Sequence, residues 1–117
     1  MIQGFSEYWT PSVDLYETGE MLVLHVELPG MSLPEVELLA NARSIIVRGI
    51  RRPPETGMPA ERLEIRTGRF EREIPLPYRI DVDRTRASMK NGVLCIEMPR
   101  SEARPVGIRI DWETSDD

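Results

Sequence analysis

Prolines and glycines leave this chain almost no room for a helix. Ten prolines and eight glycines are spread through 117 residues, so no window sustains an apolar stripe at helical spacing. What remains is the alternation of short strands. From Met21 to Leu28, residues Leu22, Leu24, Val26 and Leu28 alternate with Val23, His25 and Glu27, which puts one apolar set on a single face. Pro29-Gly30 closes that strand. After a turn through Ser32 and Pro34, Val36, Leu38 and Ala40 set against Glu35 and Glu37 read as a second strand, and Asn41 to Arg43 supply the next turn. Ser44 to Ile50 is β-branched and bounded by Gly49, a third strand carrying Ile45 and Val47 inward.

Between Arg51 and Glu61 lie Pro53, Pro54, Gly57 and Pro59, a stretch unable to pair in a central sheet because each proline lacks a ladder donor. It is a long loop, of the kind that tends to be functional. It leads into Arg62 to Arg66, where Leu63 and Ile65 alternate with charge as in an edge strand. Phe70, Arg72, Ile74 and Leu76 then share a face, and a polar connection through Asp81 and Asp83 reaches a strand near Thr85 to Lys90. Asn91-Gly92 takes the positive φ angles of a tight hairpin, so Val93 to Met98 folds back on that strand. Roughly seven or eight short strands at regular spacing predict an all-β, immunoglobulin-like antiparallel β-sandwich.

A chain of 117 residues with 40% hydrophobic content fills one modest core. Its net charge of -5 argues against a nucleic acid partner, which would be held by clustered Lys and Arg. The longest apolar run, around Met21 to Val26, is far below the roughly 20 residues that span a bilayer, and no basic leader precedes it, so a soluble cytoplasmic protein is expected. A single Cys95 cannot form an internal disulfide, which fits a reducing compartment.

Chemistry has few residues to use. His25 falls on the strand face opposite the leucines, where an imidazole on a sheet surface is the simplest role. Cys95 lies between Leu94 and Ile96, a position for a small half-buried hydrophobe rather than a reactive thiolate. The carboxylates form no acid and base pattern, and neither a phosphate-binding glycine loop nor metal-ligand spacing occurs. No catalytic residue, metal or cofactor is expected, and an enzyme would be revived only by turnover depending on Cys95 or His25.

Several segments, in order and covering about residues 11 to 110, resemble the alpha-crystallin domain of small heat shock proteins, in their bacterial and archaeal type. Pro11-Ser12-Val13-Asp14-Leu15-Tyr16-Glu17 resembles the opening strand, and Val26-Glu27-Leu28-Pro29-Gly30 the acidic-Leu-Pro-Gly turn. Gly68-Arg69-Phe70-Glu71-Arg72 through Leu76-Pro77 is similar to the next signature. Ala87 with Asn91-Gly92-Val93-Leu94 and Pro99 resembles the closing Ala, Gly-x-Leu and Pro pattern. The resemblance implies a short arm over 1–10, an alpha-crystallin domain over 11–100 and a C-terminal extension over 101–117.

It also implies a mode of assembly. In such proteins the strand after the long loop adds to the partner's opening strand by β-augmentation, so Arg62, Leu63, Glu64, Ile65 and Arg66 would pair with Ser12, Val13, Asp14 and Leu15 of a second copy. The alternative is a loop that folds back to pair within its own chain or stays mobile. Arg72 aligns with the arginine that supports the dimer contact in the eye-lens crystallins, or else makes a surface ion pair with Glu71 or Glu73. Ile108-Arg109-Ile110 resembles the family's Ile-x-Ile anchor, which would press into a groove built from Val36 and Leu38 on one strand and Ala87 and Met89 on another. Alternatively, Ile108 and Ile110 cover their own domain as a last strand.

Relatives usually carry a longer apolar N-terminal arm, whereas Met1, Ile2, Phe5, Tyr8 and Trp9 are the apolar residues before Pro11 here. If the chain is complete, large shells are less expected, and Phe5, Tyr8 and Trp9 are the arm's candidate client contacts. The resemblance implies an ATP-independent chaperone, a holdase that binds partly unfolded clients and assembles as a homodimer and beyond. The rival is a monomeric β-sandwich adaptor of the co-chaperone type, docking on one defined partner.

Overall fold

A computed structural model of the chain describes residues 8–102 and 107–112. Its strands are β1 (Val13–Glu17), β2 (Met21–Glu27), β3 (Val36–Asn41), β4 (Ser44–Arg51), β5 (Gly68–Pro75), β6 (Arg86–Lys90) and β7 (Val93–Pro99). They form two antiparallel sheets, one in the order β1-β2-β7-β6 and one in the order β3-β4-β5. Single 3-10 turns, Leu33–Glu35 and Val82–Arg84, introduce β3 and β6.

The alternation read from the sequence is what closes the sandwich. Leu22, Leu24 and Val26 stand opposite Met98, Ile96 and Leu94 in register, and all are fully buried. Ile45, Val47, Phe70 and Ile74 meet them from the other sheet. A slip of one residue would turn every one of these side chains to water, so burial of one face fixes the pairing.

Local chemistry sets the turns. The Asn41 carboxamide Oδ1 accepts from the amides of Arg43 at 2.7 Å and Ser44 at 3.0 Å, closing the β3–β4 hairpin. Asn91 at φ 53° and Gly92 at φ 77° make the tight β6–β7 hairpin. Gly49 does not bound its strand, because β4 continues to Arg51. It provides room instead: a Cβ at Gly49 would lie 2.8 Å from Phe70 Cζ and 2.9 Å from the Glu35 carbonyl.

One expected strand is missing from the single chain. Arg62 to Arg66 make no ladder, and Leu63 and Ile65 stand 63% and 82% exposed. The alternation is there, but within this chain no sheet edge is paired with it.

Candidate functional site

A β-sandwich has two open sides, where the edge strands of one sheet face those of the other. In this chain the two sides are treated differently. Strands β3 and β6 border one of them, and the segment after β3 is tied to the segment before β6, where Ile80 donates its amide to the Ala42 carbonyl at 2.9 Å. Val36 and Leu38 on β3, with Ala87 and Met89 on β6, point into the gap and pack against the core while staying half-buried. The residues expected to form a groove thus lie at every second position of edge strands on opposite sheets, half-buried against the core, as the two walls of a candidate slot.

The opposite side, between β1 and β5, is plugged by the chain's own N-terminal segment. Trp9 donates its amide to the Arg69 carbonyl and its indole Nε1 to the Gly68 carbonyl, at 3.0 and 3.1 Å. Its ring lies 5.0 Å from that of Phe70 and is only 7% exposed. The Arg51 guanidinium sits 4.4 Å over the indole, a cation–π contact, and donates to the Arg66 carbonyl at 3.0 Å. Burial pushes the Arg51 guanidinium below its ordinary value. Trp9 is therefore a core residue and not the exposed arm contact its neighbours suggested, because the β5 edge offers one carbonyl to its indole, another to its backbone amide and an aromatic surface to its ring. Tyr8 is exposed, and Met1, Ile2 and Phe5 lie outside the described residues.

Arg72 shares the inward face of β5 with Phe70 and Ile74 but is half-buried. Its Nη1 donates to the Pro11 carbonyl at 3.0 Å, immediately before Ser12 and β1. Among the described residues this contact takes the place of the ion pair with Glu71 or Glu73. Glu71 instead lies 3.9 Å from Arg48, whose Nε binds Glu37 at 2.8 Å across the outer face. The inward direction of Arg72 explains the difference, since Glu71 and Glu73 point outward.

β1 is an edge strand. Its inner side pairs with β2, the Ser12 carbonyl accepting from the Glu27 amide at 3.0 Å, while among the described residues no strand lies beyond it in the sheet. The residues expected to exchange between copies, Ser12 to Leu15 and Arg62 to Arg66, are thus an unpaired edge and an unpaired segment of the same chain.

Within the described residues 107–112 no strand forms, and Ile108 and Ile110 are 87% and 70% exposed. Arg109 Nε meets Asp111 Oδ1 at 3.1 Å, and such an i, i+2 contact puts both on one side of the segment.

The residues weighed for chemistry lie on the outer face of the first sheet. His25 meets Tyr16 edge-on at 5.2 Å and stands opposite Cys95 in register, both half-buried. Among the described residues no group of His, Cys, Asp and Glu could hold a metal ion, and no helix is long and apolar enough to cross a membrane. Sequence reasoning missed Arg51, which carries no signal distinguishing it from the other arginines along the loop.

Two antiparallel sheets packed face to face, with Trp9 filling the side between β1 and β5, define an all-β sandwich. Comparison with known proteins makes the class specific: residues 14–111 match the Hsp20/alpha crystallin family. The chain belongs to that family. It is 31% identical over 97 residues to Heat shock protein 16 of Schizosaccharomyces pombe, covering 80% of this chain and 68% of that one. It is 32% identical over 106 residues to Spore protein SP21 of Stigmatella aurantiaca, covering 87% and 62%. Among solved structures, a small heat-shock protein from Xylella fastidiosa superposes with a TM-score of 0.71 at 30% identity, over 91% of this chain and 98% of that one. Heat shock protein 16.0 from Schizosaccharomyces pombe superposes with a TM-score of 0.74 at 28% identity, over 90% and 99%. The chain spans 58% to 70% of the length of the curated relatives it matches.

Proposed function

We propose that the chain is an ATP-independent holdase that binds partly unfolded proteins and keeps them from aggregating under heat or other stress, and that it does so without chemistry of its own. The observation that carries this reading is the slot. Val36, Leu38, Ala87 and Met89 are apolar, half-buried and repeat at alternate positions, which suits an extended segment presenting side chains at the same period. Non-native chains expose such segments, and a native fold hides them. Holding is then mass action: binding lowers the concentration of the species that aggregates.

Membership of the family supports a stress-related role, and the names of its relatives agree. Assembly follows the same physics. The outer edge of β1 at Ser12 to Leu15 would accept Arg62 to Arg66 of a second copy as an added strand, burying Leu63 and Ile65 in a homodimer. Arg72 would support that edge by holding the Pro11 carbonyl just ahead of it. Ile108 and Ile110 would anchor dimers to one another through the slot, in competition with clients. This divides the chain into an arm, a domain over 11–100 and an extension from residue 101, acting in the cytoplasm.

The test is light scattering from a heat-aggregating substrate with and without the protein, in the absence of ATP, together with its mass in solution. Suppressed scattering and a mass of dimer or above is the expected result. A monomer that leaves scattering unchanged would overturn the reading in favour of an adaptor docking on one partner.

A further inference from the structure

We propose that Trp112 is a third anchor of the tail, seated beside Ile108 and Ile110 in the slot between β3 and β6 of a second copy of this chain. The inference rests on the tail reading above and extends it to a residue that the tail's acidic composition conceals. Trp112 is 85% exposed, as bare as Ile108 at 87%. Ile108, Ile110 and Trp112 fall at alternate positions, and the contact of Arg109 with Asp111 occupies the other side of the segment. The segment is thus two-faced, with three large apolar side chains in a row and an ion pair behind them.

The slot has the matching form. Val36 and Leu38 on one wall, and Ala87 and Met89 on the other, also repeat at every second residue, so side chains of the segment and of the walls share a spacing of about 6.6 Å. Arg109 and Asp111 neutralise each other, so the segment brings no net charge of its own to an apolar surface. The occupant is a second copy because one chain carries both halves in equal number, and Ile108, Ile110 and Trp112 lie exposed within their own chain. An indole buries roughly 150–250 Å², which makes Trp112 the largest contributor of the three.

The experiment follows mass and tryptophan emission of the full chain over a dilution series, for the wild type, Trp112→Ala and Ile108→Ala/Ile110→Ala. The substituted side chains are exposed, so the sandwich should fold in all of them. Trp9 is buried and contributes a constant background, so the difference between wild type and Trp112→Ala isolates Trp112. The expected result is blue-shifted Trp112 emission in assemblies larger than a dimer and a red shift as dilution breaks them. Trp112→Ala should dissociate at a concentration at least about tenfold higher, which corresponds to about 1.4 kcal/mol. If Ile108→Ala/Ile110→Ala dissociates and Trp112→Ala matches the wild type, with Trp112 emission unshifted, Trp112 is no anchor and the two-isoleucine tail stands. If neither variant changes the mass, the tail reading and this inference fail together.

Discussion

Gly92 lies against Pro29 so closely that a Cβ on it would stand 2.8 Å from the proline Cα. The two belong to different turns, and the Leu28 amide, donating to the Gly92 carbonyl at 2.7 Å, locks one to the other. Gly92 also holds φ at 77°, where an L side chain is strained. Gly92→Ala should therefore lose about 1–3 kcal/mol, combining the left-handed penalty with the clash. Chemical denaturation reads this directly. An unchanged midpoint would mean that the turns do not bear on each other.

Trp9 should behave as a core residue. Trp9→Ala is expected to cost about 3–5 kcal/mol, whereas Tyr8→Ala, next to it but exposed, should stay within about 0.5 kcal/mol. Thermal unfolding of the pair separates a plug from an arm. Equal and small effects would return Trp9 to the arm.

Arg72→Lys is the sharper test of the Pro11 contact than Arg72→Ala, because it keeps the charge and removes the guanidinium that reaches the carbonyl. The expected outcome is a modest loss of stability, about 1 kcal/mol, with a larger rise in the dimer dissociation constant. Sedimentation at several concentrations distinguishes the two effects. A variant that dimerises as tightly as the wild type would show that the start of β1 needs no support.

Acid should weaken the fold through two surface carboxylates. The side-chain hydrogen bond from Arg48 holds Glu37 below its ordinary value of 4.5, and the Ser32 backbone amide, followed by its hydroxyl, does the same for Glu35. A lowered folded value means stabilisation that is complete above 4.5 and is lost as pH falls through the folded values. Melting temperature followed from pH 7 to pH 3 should fall in that acid window, less steeply in Glu37→Gln. Both groups are exposed, so added salt should shrink the difference.

The sandwich was legible because burial of one strand face writes itself into the sequence. Leu22, Leu24 and Val26 announce both their strand and its inward side, and Asn91-Gly92 announces its hairpin. The half-burial of Val36, Leu38, Ala87 and Met89 follows from the same alternation, while their role as a groove came from the family resemblance alone. Trp9 was misplaced because indole burial depended on the Gly68 and Arg69 carbonyls, far along the chain. Arg62 to Arg66 kept the alternation of a strand while the single chain gives that alternation no edge to join. Gly49 read as a boundary because a missing Cβ looks the same whether a strand stops or an aromatic ring needs the space.

The slot carries the central claim, and the most direct measurement of it is substrate scattering at equal subunit concentration with wild type, Met89→Glu and Glu37→Gln. Met89→Glu puts a carboxylate into the slot, while Glu37→Gln changes the outward face of β3 across from it. With all three still folded by thermal melting, wild type and Glu37→Gln should suppress aggregation and Met89→Glu should lose most of that suppression. Full protection by Met89→Glu would contradict the claim that the slot between β3 and β6 is where non-native chains are held.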